Sequence, residues 1–423
     1  MGSLKGVNIQ RGAIGPAVNG NEDSIAGLLA NGPAVNASGN IVGIALGETV
    51  KLNSVADAEA LGIDEAYDST NRVRVHRHIS EFFRICGEGT LYLMLYSGTP
   101  SDAFGESYGK RMIADSNGEI RVLGVAYNPD ENYSPTNVNG IDDNVYAAIA
   151  AGQLFYDWTY STFRPCQVIL EGRGYAAATS ASALDLRNIT VGGAVLEAFK
   201  VSVCIGQDWD YAETQNAVGK KFADVGTMLG SVALRPVNRN IGEVEGGDIS
   251  SAKKGIWVTA GLSNHNKITA EESSLETLDT KGYIFAISYT GVSGYYWNND
   301  HTCTPVIQDA DGYFNEYTIS YGRVHDKAVR ELRTALLPKV KSTQPVDPST
   351  GKLPQAIVGY FDAIGDEVFA RMASAGEITQ GKTTTDPDSN LLVMPRELKV
   401  SFVIVPTGQI DEIKGTINLR TSI

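Results

Sequence analysis

Between residues 76 and 234 the chain alternates short, nearly continuous apolar runs with longer helical patterns. LYLMLYS (91–97), CQVILEG (166–172) and FKVSVCIGQD (199–208) are apolar at most positions rather than at every second one. Strands read this way when both faces are covered, as in a parallel sheet with helices on either side. The helical patterns are HRHISEFFRICGEGT (76–90), DDNVYAAIAAGQLFYDWTYSTF (142–163) and AETQNAVGKKFADVGTMLGSVAL (212–234). Asp142 and Asp143 at the start of the second favour the helix dipole and read as N-terminal residues rather than a catalytic pair. The alternation predicts a mixed α/β fold with a mainly parallel central sheet. NIVGIALG (40–47) reads as a further short strand. SVADAEALG (54–62) reads as a helix capped by Ser54, with Asp57 at its third position and Gly62 as its stop.

From about residue 276 the pattern changes. GYIFAISYTGVSGYYWNNDHTCTPVI (282–307) suggests a β-rich meander with Gly and Asn turns. GRVHDKAVRELRTALLP (322–338) is an amphipathic helix, on which Asp326–Arg330 and Lys327–Glu331 stand at i,i+4 with opposite charges. Residues 355–376 form a second helix stopped by Gly376. ELKVSFVIVP (397–406) is a strand on which Leu398, Val400, Phe402 and Ile404 alternate. The two ends carry similar lone strand patterns. KGVNIQR (5–11) places Val7 and Ile9 on one face, and KGTINLRTS (414–422) does the same for Ile417 and Leu419. Each is separated from the body by a polar, glycine-containing stretch. An unpaired strand exposes N–H and C=O groups that need a partner.

Charge narrows the function. The net charge of −14 over 423 residues opposes nucleic-acid binding, which needs a basic face. Four scattered cysteines without C-x-x-C spacing point to buried, reduced thiols, Cys86 and Cys204 most clearly. Neither a signal-peptide core nor a membrane-length apolar run is evident. The expectation is cytoplasmic assembly without membrane insertion.

The sharpest chemical motif is GEITQGKT (376–383), which satisfies G-x-x-x-x-G-K-[ST] through Gly376, Gly381, Lys382 and Thr383. A phosphate cradle needs a strand before the loop and a helix after it. Here a helix precedes, and TTDPDSNLLVMP, with two prolines, follows, so a helix-to-strand turn is the better reading and a nucleotide hydrolase the alternative. His76 and His78, and His301 and Cys303, stand at i,i+2 without further ligands nearby. His325 reads as an ordinary helix residue. With no complete catalytic set, the expectation is a non-enzymatic protein without cofactor or metal.

Several segments, in order, resemble the sheath subunits of contractile phage tails and contractile injection systems, closest to their smaller, divergent members. SGYYWNNDHTCT…GRVHDKAVRELRTALLPKV is similar to that family's hairpin and R-x-x-D-K helix, here Arg323, Asp326 and Lys327. GEITQGKTTTDPDSNLLVMPRELKVSFVIVPTGQIDEIKGTINL is similar to its closing pattern, with Ile410 and Ile413 as the I-x-x-I segment. SVADAEALG…ISEFFRICGEGTLYLMLYS resembles its N-terminal helices and following strand. The resemblance implies an N-terminal arm (1–20), an N-terminal part of the core (21–100), a middle α/β domain (101–275), a C-terminal domain (276–406) and a C-terminal arm (407–423). It implies stacked hexameric rings around an inner tube, linked by arms that pair with neighbouring subunits. Baseplate and tail-terminator proteins are the further partners, in a virion tail or a bacterial cytoplasm. Contraction would proceed by repacking, without nucleotide. A different self-assembling shell protein is the other alternative.

Overall fold

The computed structural model describes residues 22–35 and 38–420. Val7 and Ile9 lie outside the described residues.

The body is built on one six-stranded sheet. Its strands are β1 (Ile25–Asn31), β2 (Val50–Leu52), β3 (Thr90–Tyr96), β4 (Val122–Ala126), β5 (Gln167–Glu171) and β6 (Val201–Cys204). They run in the order β6-β5-β4-β1-β3-β2. All pairings are parallel except that of β2 with β3. β1 is the central strand, with Leu28 opposite Leu93 on one side and Gly124 on the other.

Helices cover both faces. In order they are α1 (Val55–Ala60), α2 (Glu65–Asn71), α3 (Val75–Ile85), α4 (Gly109–Asp115), α5 (Asp143–Ser161), α6 (Trp209–Glu213), α7 (Val225–Leu234) and α8 (Glu272–Thr280). Gly124 on β4 faces Leu229 and Val225 of α7, whereas Val168 and Val201 lie against Gly152 of α5. Successive strand residues point to opposite faces, so the register places α7 and α5 on opposite sides. The small residues of α7 have a specific purpose. A Cβ on Gly226 would stand 2.4 Å from the His78 carbonyl oxygen of α3, so the two helices meet backbone to backbone.

The mixed α/β class agrees with the sequence pattern, and several boundaries do not. Residues 40–47 form no strand; the chain makes only single bridges at Ile41 and Leu46. Gly43 donates instead to the Leu61 carbonyl, and Gly47 turns the chain at φ 73°. The single helix expected over 212–234 is split, because Asn216 accepts from Gly219 N–H in a turn and Asp224 then starts α7. Within the meander expected over 282–307, only Ala286–Ile287 and Tyr296–Trp297 pair with each other, while Ile284, His301 and Cys303 make single bridges to other segments.

The C-terminal part has a core of its own. α9 (Ile319–Leu336) and α10 (Gln355–Ser374) pack with the antiparallel hairpin β7 (Ile378–Thr385) and β8 (Val400–Pro406). Val324, Ala328, Leu332, Val368, Phe369, Met372 and Ile378 are buried together, with Phe402 and Ile404 against them. A two-stranded sheet is marginal alone, and α10 supplies its cover. Among the described residues no helix is long and apolar enough to cross a membrane.

Candidate assembly surface

In a doubly wound sheet a ligand sits outside the carboxyl ends of the strands, where the strand order reverses. In this chain that place lies at the end of β1, between β3 and β4. It is tied across by its own residues. Asn128 Nδ2 donates to the Asn31 carbonyl at 2.7 Å, and Tyr96 Oη donates to the Ala126 carbonyl at 3.0 Å. Asn31 Nδ2 donates to the Gly98 carbonyl at 3.1 Å.

GEITQGKT does not form a phosphate cradle. Gly376 ends the segment after α10 at φ 74°, and Gly381, Lys382 and Thr383 lie within β7. An added Cβ on Gly381 would stand 2.4 Å from the Phe369 ring, so this glycine admits a helix rather than a phosphate. Thr383 is buried against Gly365 of α10. The strand runs into the loop that leads to β8, and no helix N-terminus follows, which removes the anion-binding geometry.

The other chemical candidates have structural partners. His76 and His78 lie on α3; His76 faces Glu59 at 3.3 Å, and His78 Nδ1 accepts from Gly226 N–H at 3.2 Å. His301 pairs with Asp279 at 2.8 Å, and Cys303 is buried at the Ala198 bridge. His325 stands beside Glu316 and Asp326. Asp142 caps α5 through Asn144 N–H and accepts from Tyr133 Oη. All four cysteines are free and buried. No cluster of metal-ligating side chains occurs among the described residues.

What distinguishes the molecule is the pair of edges on the β7–β8 sheet. Thr383 N–H donates to Asp366 Oδ1 at 2.8 Å, and Thr385 N–H donates to Asp362 Oδ1 at 2.7 Å. Asp362 and Asp366 stand one turn apart on α10, so their carboxylates match alternate amides along β7. The outer edge of β7 is thereby sealed. The same bonds fix the ladder. Thr383 lies opposite Phe402, Gly381 opposite Ile404 and Thr385 opposite Val400. Since the Thr383 amide points outward, these are non-hydrogen-bonded pairs, and the amides and carbonyls of Val400, Phe402 and Ile404 also point outward. Among the described residues no hydrogen bond occupies them. β8 is the open edge.

The C-terminal segment leaves from the end of that strand. Its root is held to the body. Asn238 Nδ2 donates to the Gly376 carbonyl at 2.9 Å and to Thr407 Oγ1 at 3.0 Å, and Gln409 Nε2 donates to Ser320 Oγ at 2.6 Å. Beyond it, residues 412–420 form no strand, and Ile417 and Leu419 are 93% and 98% exposed. The strand expected at 414–422 is thus absent from the single chain as far as Arg420, because no second strand lies beside it. Ile410 and Ile413 are also exposed, over a cleft of about 790 Å³ between the segment and the body.

The Arg323, Asp326 and Lys327 motif is brought together on α9, but its partners are distant in sequence. Asp326 is buried and meets Lys200 Nζ at 2.9 Å and Tyr156 Oη at 2.8 Å. Burial pushes its carboxyl up, but Lys200 and His325 together outweigh this and hold it at about 2. Burial likewise raises the Tyr156 hydroxyl, and the Asp326 charge raises it further. Arg323 is lowered to about 10 by burial and donates to the Arg235 and Asp23 carbonyls. Lys327 binds Asp23 at 2.8 Å and also Glu377. Arg330 binds Asp23 at 3.0 Å. The local i,i+4 pairs expected on this helix therefore yield to longer-range ones. Asp23 was not a sequence candidate; an acidic residue just before an apolar run is too common a pattern to single out. Asp362 and Asp366 were missed likewise, although their i,i+4 spacing before a threonine-rich strand was a usable signal.

The chain is thus a helix-covered α/β body bearing a helix-backed two-stranded sheet and an exposed C-terminal segment. The fold matches a chain described as "Cryo-EM structure of the anti-feeding prophage (AFP) baseplate, 6-fold symmetrised", with TM-score 0.59, 13% identity and 100% of both chains covered. It also matches "Cryo-EM structure of the anti-feeding prophage (AFP) helical sheath in contracted state", with TM-score 0.55, 14% identity and 99% of both chains covered. Residues 7–301 match the DUF2586 N-terminal domain and residues 317–423 the DUF2586 C-terminal domain. The chain belongs to the DUF2586 family. No curated protein matches it.

Proposed function

We propose that this protein is a structural subunit of a contractile tail sheath. It polymerises as stacked hexameric rings around an inner tube and contracts by repacking its contacts, without catalysis. The observation that carries the reading is the β7–β8 sheet, with β7 sealed by Asp362 and Asp366 and β8 open at Val400, Phe402 and Ile404. An added strand from a second copy would satisfy that edge. The segment around Ile417 and Leu419 is the strand this chain offers in return, and Val7 and Ile9 mark the corresponding run at the other end. The arms comprise 1–20 and 407–423, and the core is divided as 21–100, 101–275 and 276–406. Partners besides further copies are the tube, baseplate and tail-terminator proteins, in a virion tail or in the cytoplasm where such particles assemble. The fold shared with an anti-feeding prophage sheath and baseplate supports the class.

Deleting residues 414–423 tests the reading. The truncated chain should stay folded and monomeric while the full chain forms wide, hollow, striated tubes in negative-stain micrographs. Normal tubes from the truncation would sink the arm model.

A further inference from the structure

Ser320, Arg323, Lys327 and Arg330 follow one another on α9 at spacings of three, four and three residues. That spacing keeps them on one face of the helix over about 15 Å. Each holds a segment that leads to a chain end. Arg330 and Lys327 grip the Asp23 carboxylate, and Arg323 donates to the Asp23 carbonyl at 3.2 Å. Asp23 lies in the 3-10 turn Glu22–Ser24 that leads into β1, at the root of the N-terminal segment. Lys327 also binds Glu377, the residue before β7. Ser320 accepts from Gln409, at the root of the C-terminal segment. Arg323 further donates to the Arg235 carbonyl, in the turn that leads to Asn238 and its bonds to Gly376 and Thr407.

We propose that this face of α9 is a tie-bar joining the roots of the two arms, with Asp23 as its positioning residue. It rests on the reading that the arms pair with second copies of the chain. A pull on the N-terminal arm reaches Asp23 first, where three donors from one helix resist it together. Lys327 is shared between Asp23 and Glu377, so the same pull is passed to the base of the β7–β8 hairpin. The route avoids the central sheet, and the subunit turns as one body while deformation is confined to the arms beyond their roots. The polar stripe is suited to this. Charge-assisted bonds are directional and resist displacement at a defined point, and α9 is continuous from Ser320 to Arg330.

The distinguishing feature is that Asp23 and Glu377 act on each other through Lys327. Coupling of that kind is reciprocal. The test uses the full-length chain as a dilute monomer, with hydrogen exchange followed by mass spectrometry. Asp23→Asn should raise exchange about threefold to tenfold in the segment 22–27 and also in β7, the cost of losing half-buried ion pairs at a local opening. Glu377→Gln should raise exchange in 22–27 in turn, and Asp23→Glu should restore both segments. β6, which pairs with β5 and makes no pairing with the segment 22–27 or with β7, serves as the control and should keep the wild-type rate. If Asp23→Asn accelerates only 22–27, the clamp is local and the tie-bar is refuted. If β6 accelerates equally, the substitution acts on global stability, and the proposal also fails. The exchange is read on monomers. Tubes from the chain lacking 414–423 would thus overturn the arm reading while leaving the coupling between Asp23 and Glu377 measured.

Discussion

Proline at residue 404 separates the open edge of β8 from everything else that strand does. The Ile404 amide points away from β7, so proline there removes no bond within the chain. The cost to the monomer is the lost packing of Ile404 against the small C-terminal core, about 1–2 kcal/mol for a partly buried aliphatic side chain. Ile404→Ala loses comparable packing and retains the amide. The two variants should therefore melt within about 1 kcal/mol of each other, since edge strands tolerate proline where the N–H faces outward. They should differ in assembly. Ile404→Ala should form tubes at raised protein concentration, and Ile404→Pro should form none. Val403 supplies the opposite control. It lies opposite Lys382 in a hydrogen-bonded pair, and its side chain is largely exposed. Val403→Pro orphans the Lys382 carbonyl at about 1–3 kcal/mol, with little packing lost, and should strip exchange protection from the β7 ladder. Thermal melts, exchange of the Lys382 and Thr384 amides, and negative-stain images read the three variants together. Normal tubes from Ile404→Pro would refute the assignment of the β8 edge, and an intact ladder in Val403→Pro would refute the register behind it.

Two further outcomes follow from the carboxylates that hold these contacts. Asp366→Ala leaves the Thr383 amide without its acceptor and unseals part of the β7 edge. It should cost about 1–2 kcal/mol and convert the soluble monomer to irregular aggregates, seen as early light scattering on concentration; an unchanged scattering onset would count against edge sealing. Asp326→Asn strands a buried Lys200 that keeps the Gly322 carbonyl at 2.9 Å, the face of the Tyr156 ring and a distant Glu316, and should cost about 3 kcal/mol. The same pair sets an acid limit. The Asp326 carboxyl sits at about 2 in the fold against 3.8 ordinarily, so its contribution of about 2–3 kcal/mol is complete above pH ~4 and is lost as pH falls toward 2. Asp23, also held below its usual value, adds loss in the same direction. Denaturant midpoints between pH 2 and 5 should fall more steeply for wild type than for Asp326→Asn, and parallel curves would contradict the assignment.

The α/β character was legible because β3, β5 and β6 are apolar at most positions, and α5, α9 and α10 are long and periodic. The central strands β1 and β4 escaped notice for a physical reason. Each carries a glycine where a neighbour presses close. A Cβ on Gly27 would stand 2.8 Å from the Leu123 side chain, and one on Gly124 would stand 3.2 Å from Leu229. Packing demands small residues there, and small residues dilute the strand signal. The site divides in the same way. The alternation of Val400, Phe402 and Ile404 identified β8, and Gly376 ended the helical segment as expected, at positive φ. Which edge of β8 lies open depends on Asp362 and Asp366, a contact between helix and strand that periodicity does not encode. The motif on α9 was visible as residues, yet Lys200, Asp23 and Glu377 lie 126, 304 and 50 positions from their partners.

The asymmetry of the two edges explains how such a chain could grow without sheeting indiscriminately. With both edges open, the small sheet could add strands on either side without limit, as in cross-β aggregation. Closing β7 from its own helix leaves one acceptor edge on this sheet. On the arm reading, each chain also donates one strand, from a segment whose root Asn238 and Ser320 hold in place. One donor and one acceptor that lie on different surfaces make every contact heterologous. Heterologous contacts do not terminate in a pair; they continue into a ring when the rotation closes and into a helix when it does not. The pairing is then specified by backbone hydrogen bonds, which survive rotation about the arm between its root and its strand. A body that must move relative to its neighbours while remaining linked needs that separation, and the exposed run from Ile410 to Lys414 lies where it would occur.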